Sequence, residues 1–157
     1  MTSSIPAATR LHLDAQRTTL AADSVPEVVL PVGVGDIADR CFRHDPPTPF
    51  ELEQAIDAVE DALTRSRLQH AGRGELVTDD PLLRAWVTAG SAAHGHARLT
   101  RDEVEALFQR LASAALGHPG ALAGLPLGRA AAAALLILRE CMHHLGYNAI
   151  RTEEFEP

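Results

Sequence analysis

The chain has 157 residues, a formal net charge of −7 and 46% apolar residues, which indicates one globular domain with a core of its own. All 14 basic residues are arginine, and the absence of lysine excludes Schiff-base chemistry and a phosphate-loop lysine. The acidic balance, without a basic patch, disfavours nucleic acid as a partner.

The first part of the chain predicts two or three strands and a short helix. "TRLHLDAQ" (9–16) alternates leucine with polar residues, as in a half-buried strand, and "RTTLAAD" (17–23) continues it or forms a partner strand. "PEVVLPV" (26–32) contains three contiguous apolar residues, as in a strand buried on both faces. "GVGDIADRCF" (33–42) follows as a short helix.

Two capping boxes mark the starts of longer helices. Thr48 is the predicted N-cap of a helix in which Glu51 completes the box, and apolar spacing carries this helix to about Leu68. Thr100 and Glu103 repeat the same pattern further along the chain. Each box predicts the first turn of a helix from four residues alone.

The remaining elements complete an α/β pattern. "ELVT" (75–78) predicts a short strand, "DPLLRAWV" (80–87) a short helix and "TAGSAAHGHA" (88–97) a loop. Residues 129–145 are rich in alanine and leucine, which predicts a buried helix, and "YNAIRTEEF" (147–155) predicts a closing strand. The order favours a single-domain mixed sheet with flanking helices.

Three segments in this order resemble the Ppx/GppA family of exopolyphosphatases and guanosine pentaphosphate phosphohydrolases. They are "VLPVGVGDIADRCFRHDPPTPFELEQA", "ARLTRDEVEALFQRL" and "LAGLPLGRAAAAALLILRECMHHLGYNAIRTEEF". The resemblance covers residues 9–155 and is to the second half of the family's actin-like ATPase core. It implies a ribonuclease-H-like fold, truncated relative to the family.

The family's phosphate-binding loops are not retained in this sequence. Where the family has a glycine-rich Asp-x-Gly-Gly-Gly-Ser loop, this chain reads "DAQRTTL"; its Gly-Gly-Thr and Ser-Asp-Arg-Gly loops correspond to "TDD" and "TEEF". Glycine allows a backbone to approach a phosphate, whereas carboxylates add bulk and like charge. The ligand-loop candidates are Arg17, Thr18, Thr19, Thr78, Asp79, Asp80, Glu153 and Glu154.

These substitutions predict a non-catalytic domain. A carboxylate ~4 Å from a phosphate oxygen costs ~4 kcal/mol at an effective dielectric of ~20, so nucleotides and polyphosphate are disfavoured as ligands and no cofactor is expected. In the two-lobed family one face of this half is covered by the other lobe. A lone half would expose this face, which favours a binding or regulatory role through protein contacts. A homodimer that covers the face is the simplest such arrangement.

Two alternatives remain open. If the loops at 79–80 and 153–154 face one cleft, their carboxylates could hold Mg²⁺ or Ca²⁺ for a residual phosphatase, although Asp80 also suits a helix cap. The histidine pairs His94/His96 and His143/His144 suggest a metal-binding protein, although adjacent helical histidines point about 100° apart, so at most one of the second pair could join a site.

Other features favour structural roles. Cys41 and Cys141 lie far apart in sequence, and buried structural thiols are a more common explanation than catalysis. Arg17 suits a hairpin turn. Residues 1–8 are expected to be a flexible tail and 9–157 the domain, with no membrane span, no signal peptide and a cytoplasmic location.

Overall fold

The computed structural model describes residues 8–23, 25–66, 74–92 and 97–153, which form a mixed sheet flanked by helices. The strands are β1 (Thr9–Leu13), β2 (Thr18–Ala22), β3 (Val25–Leu30), β4 (Glu75–Thr78), β5 (Arg98–Thr100) and β6 (Ala149–Thr152). The helices are α1 (Val34–Arg40), α2 (Pro49–Arg65), α3 (Pro81–Ser91), α4 (Arg101–Ala115) and α5 (Arg129–Leu145), with a 3₁₀ turn at Pro119–Leu122.

The sheet has the strand order β3-β2-β1-β4-β6-β5. β1 runs parallel to β4 and β4 parallel to β6, whereas β2, β3 and β5 join by antiparallel pairing. The carboxyl ends of β1, β4 and β6 therefore lie side by side at one edge of the sheet. This arrangement confirms the predicted single-domain α/β fold with a mixed sheet.

The core lies on one side of the sheet, around α5. The leucine side of β1 is buried, with Leu11 fully inaccessible, while Arg10 and His12 on the other side are exposed. α5 packs against α1, α2, α3 and α4, and this explains why it is apolar around most of its circumference. The prediction of a buried helix ending at Leu145 is confirmed.

Both capping boxes are present as predicted. The Thr48 hydroxyl accepts the Glu51 N–H, and the Glu51 carboxylate accepts the Thr48 N–H in return. Thr100 and Glu103 exchange the same pair of bonds at the start of α4. The last described helical residue of α2 is Arg65, so the predicted end near Leu68 lies outside the described residues.

Two sequence predictions about elements were wrong, and one strand was missed. β3 is an edge strand, and Val29 is 46% exposed rather than buried on both faces. α3 continues to Ser91, so the first residues of the predicted loop are helical. The sequence analysis did not predict a strand at residues 98–100, which form β5 and pair with β6. A three-residue strand has no sequence period of its own, and its pairing partner is about 50 residues away in sequence.

The structure bears only partly on two further expectations, the N-terminal tail and the lack of a membrane span. Only Ala8 of the predicted tail at residues 1–8 belongs to the described residues. Within the ranges that the structure describes, no helix combines the length and the apolar character that crossing a bilayer requires.

Candidate functional site

The residues that follow β1, β4 and β6 meet at one edge of the sheet. They are the β1–β2 turn at 14–17, residues 78–80 at the end of β4 and residues 152–153 at the end of β6. Pairing of β4 with both neighbours sets the register, because Thr78 is opposite Thr152 and Arg10 is opposite Val77. Of the ligand-loop candidates, Arg17, Thr78, Asp79, Asp80 and Glu153 therefore lie at this edge, whereas Thr18 and Thr19 belong to β2.

The β1–β2 turn is closed and held against α1. The Asp14 N–H donates to the Arg17 carbonyl at 2.8 Å, and the Asp14 and Ala15 carbonyls accept the N–H groups of Val34 (3.1 Å) and Asp36 (2.9 Å). The first turn of α1 therefore directs two of its N–H groups at protein carbonyls, groups that a helix N-terminus otherwise offers to an anion.

The three candidates in this hairpin have separate environments. Arg17 is exposed in the turn, as predicted for a turn residue. The Thr18 hydroxyl is buried and donates to the Val32 carbonyl at 2.8 Å. Thr19 is half-buried and points to the opposite side of β2 from Thr18. The two threonines therefore do not form one hydroxyl-lined pocket.

At the end of β4, the side chains of Thr78 and Asp80 form hydrogen bonds with backbone groups. The Thr78 hydroxyl donates to the Leu11 carbonyl at 2.9 Å and accepts the Asp80 N–H at 3.0 Å. The buried Asp80 carboxylate accepts the N–H groups of Leu82 and Leu83, which caps α3. Asp79 is half-buried. The capping role predicted for Asp80 is confirmed.

Glu153, which follows β6, contacts residues of the two neighbouring strands, β4 and β1. The Glu153 N–H donates to the Thr78 carbonyl at 3.0 Å, and its carboxylate pairs with the Arg10 guanidinium at 2.7 Å. Glu154 lies outside the described residues. Arg10 and Glu153 belong to a set of charged side chains on the sheet, here called the charged face. Its members are Arg10, Glu75, Arg98, Arg151 and Glu153.

A second group of polar side chains lies between α2 and α5, away from the loop edge. Nε2 of His144 is 3.2 Å from a Glu140 carboxylate oxygen and 3.4 Å from a Glu60 carboxylate oxygen. The three donor atoms all lie within 4.8 Å of one another, and this is the one such metal-ligating group found among the described residues. His94 and His96 lie outside the described residues.

Glu140 is the buried member of this group, with 2% of its surface exposed. Burial raises the pKa of its carboxyl, and the nearby Glu60 adds to that shift while Arg139 opposes it. The Arg139 guanidinium donates to Glu140 at 2.8 Å and to Glu105 at 2.6 Å, and it lies 4.2 Å from the Phe108 ring centroid. The sequence analysis singled out His144 but missed Glu60 and Glu140. The one-turn spacing of Glu140 and His144 was the available signal.

Neither thiol has the environment of a nucleophile. Cys141 is fully buried, and burial raises its pKa to about 12. Cys41 is half-buried at the end of α1, and burial raises its pKa also, against an opposing effect of Arg40. A reactive cysteine requires a lowered pKa, so the structural interpretation of both residues is favoured.

Solved Ppx/GppA phosphatases share this fold. An Aquifex aeolicus family member gives a TM-score of 0.74 at 12% identity over 98% of this chain and 54% of that chain. A Cytophaga hutchinsonii exopolyphosphatase gives 0.72 at 13% identity over 98% and 55%, respectively. No family model and no curated protein match the sequence. The predicted resemblance is confirmed at the level of the fold, and the chain spans little more than half the length of these structures.

Proposed function

We propose that this chain is a cytoplasmic, non-catalytic domain with the fold of half a Ppx/GppA phosphatase, and that it acts as a binding or regulatory module through protein contacts. The observation that supports this most strongly is the use of polar groups at the loop edge. Asp80 caps α3, Glu153 pairs with Arg10, and the β1–β2 turn accepts the N–H groups of α1.

The charge at this edge also opposes a phosphate ligand. Asp79, Asp80 and Glu153 lie on adjacent loops, where the backbone of a phosphate loop would offer N–H groups. A phosphate bound there would meet carboxylates, and a carboxylate without a compensating cation costs ~4 kcal/mol at ~4 Å and an effective dielectric of ~20. Polyphosphate and nucleotides are therefore not the ligands of this edge.

A surface for protein contact is available at the same end of the molecule. Three large apolar side chains, here called the apolar end, are strongly exposed: Phe50 (65%), Leu116 (70%) and Leu127 (74%). α2 and α5 begin at this end, because Glu60 meets Glu140 and His144 about three turns along each helix. α4 ends there, since Arg110 bonds the Ala121 and Ala123 carbonyls that lead towards α5.

A second copy of the chain is the partner that we propose for the apolar end. Exposed apolar side chains at one end of a domain favour an interface, and a two-fold dimer buries the same set on both copies. Burying one such side chain contributes about 1.5–3 kcal/mol. Each of Phe50→Ser and Leu127→Ser should therefore weaken dimerisation by at least about 10-fold.

Sedimentation velocity at 1–100 µM tests this proposal, with Val29→Ser as the matched control. Val29 is an exposed apolar residue on the edge strand β3 and is not a member of the apolar end. We expect the wild type and Val29→Ser to be dimers, and Phe50→Ser and Leu127→Ser to be monomers. A monodisperse monomer at tens of micromolar contradicts the dimer, and phosphate release from polyphosphate by the same preparation contradicts the non-catalytic assignment.

A further inference from the structure

We propose that Glu60, Glu140 and His144 form a binding site for one divalent transition-metal ion, best matched by Zn²⁺, in the seam between α2 and α5. Glu140 and His144 lie one helical turn apart on α5, and Glu60 faces them from α2. The site is near the carboxyl end of α5, which leads by a short connection to the start of β6, whereas the loop edge lies at the other end of β6. It is therefore separate from the proposed interface and from the loop edge.

The distances match tetrahedral coordination. A tetrahedral zinc ion with bonds of about 2.0–2.2 Å holds neighbouring donor atoms about 3.3–3.6 Å apart. The His144 nitrogen lies 3.2 Å from Glu140 and 3.4 Å from Glu60. The third separation is within 4.8 Å, and a small rotamer change of Glu60, whose side chain is 43% exposed, closes it.

The charges of the group call for a cation. Two carboxylates approach the same imidazole nitrogen, and a neutral imidazole has only one proton to offer there. Arg139 supplies one positive charge beside Glu140, but Glu105 pairs with the same guanidinium. With all three carboxyl groups ionised and the imidazole neutral, these groups carry an excess of two negative charges, which a divalent ion would neutralise.

The surroundings hold the ligands in place and leave the site accessible. One oxygen of Glu140 accepts from Arg139 at 2.8 Å, while the other faces His144 at 3.2 Å. Such a bond from outside the ligand set fixes the orientation of a ligating carboxylate. The exposed portions of Glu60 and His144 give solvent a path to the seam. Three protein ligands with a water in the fourth position form the open type of zinc site.

Cobalt substitution tests the site directly. Chelator-treated protein is titrated with Co²⁺, followed by visible d–d absorption as the signature of tetrahedral coordination, and Zn²⁺ is then added as a competitor. His144→Gln and Glu60→Gln should each weaken binding by more than about 100-fold, since even partners outside the ligand set cost about 10- to 100-fold. Wild-type protein should bind one ion per chain.

Two controls separate this site from the other histidines. His143→Gln changes the exposed neighbour of His144, and a His94→Gln/His96→Gln double variant removes the other histidine pair. Both should bind Co²⁺ as the wild type does. Unchanged melting temperatures in EDTA verify that each variant folds. The proposal is overturned if the wild type does not bind at 100 µM Zn²⁺, if His144→Gln and Glu60→Gln bind normally, or if binding is lost with the 94/96 pair.

Discussion

At the scale of single residues, Glu51 shows how one carboxylate organises a segment. It is buried, and it accepts the N–H groups of Arg43, His44 and Thr48 as well as a bond from the His44 ring. Burial alone would raise its pKa, but the bonds from His44, Thr48 and Arg43 outweigh burial and lower the pKa from 4.5 to about 2. The predicted capping box therefore does more than start α2, because it also fixes the preceding loop.

Replacing Glu51 should reduce stability in a pH-dependent way. Glu51→Ala leaves three backbone N–H groups without this acceptor, which should cost about 2–3 kcal/mol at pH 7. A lowered folded-state pKa contributes stability that is complete above about pH 4.5 and is lost as the pH falls towards 2. Urea unfolding measured at several pH values from 7 to 2.5 should show that the difference in free energy of unfolding between wild type and variant becomes smaller as the pH falls.

Glu53→Ala is the matched control, because Glu53 is exposed on the same helix. It should change the free energy of unfolding by no more than about 0.5 kcal/mol. A Glu51→Ala variant as stable as this control, or a gap that does not depend on pH, would contradict the role given to Glu51.

The two thiols should react very differently with a disulfide reagent. Cys141 is fully buried with a pKa raised to about 12, whereas Cys41 is half-buried and borders a groove between α1 and α2. Native protein should therefore release one equivalent of chromophore from Ellman's reagent, slowly, and a second only after unfolding. Cys41→Ser should abolish the native reaction. A native reaction that survives in Cys41→Ser would contradict the burial of Cys141.

At the scale of elements, local signals were sufficient wherever a few adjacent residues determine a structure. The boxes at Thr48 and Thr100 and the cap at Asp80 were predicted correctly, because each bond joins residues within three positions. The edge position of β3 and the pairing of β5 depend on neighbours far away in sequence. The contiguous apolar residues of β3 therefore suggested burial that the topology does not provide.

The contacts of the candidate sites were harder to predict for the same reason. The parallel pairing of β1, β4 and β6 brings the carboxyl ends of these strands to one edge of the sheet, whereas the sequence left open whether the acidic loops share a cleft. The pairing of Arg10 with Glu153 joins residues at opposite ends of the chain. Glu60 meets His144 across 84 positions, and no periodicity in either helix indicates which faces meet.

The packing of α1 against the β1–β2 turn predicts a strict requirement for glycine at position 33. A Cβ there would lie 2.2 Å from the Asp14 carbonyl oxygen and 2.5 Å from the Gln16 nitrogen, both backbone atoms. Gly33→Ala should therefore displace the turn from α1 and cost about 1–3 kcal/mol. Gly120→Ala is the control, because a Cβ at Gly120 meets nothing within 4 Å. Equal melting temperatures of the two variants would contradict the close packing of this turn.

At the scale of the whole molecule, the chain has the fold of about half of a Ppx/GppA phosphatase, and the polar groups at its loop edge are engaged in internal bonds. The chain aligns over 98% of its length with phosphatase structures at 12–13% identity. The bonds around Asp14, Asp80 and Glu153 stabilise the loop edge. Function is therefore expected at other surfaces, of which the apolar end and the seam between α2 and α5 are the two proposed here.

A thermal-shift titration tests the central claim most directly. ATP, guanosine tetraphosphate and polyphosphate are each added with and without Mg²⁺, with Ca²⁺ in parallel. A ligand at about 100 times its Kd adds about 2.7 kcal/mol of stability, which raises the melting temperature by roughly 5–10 °C for a domain of this size. We predict no shift with any phosphate compound beyond that of the metal alone. A saturable shift with polyphosphate or a nucleotide would contradict the proposal that this domain does not bind phosphate compounds.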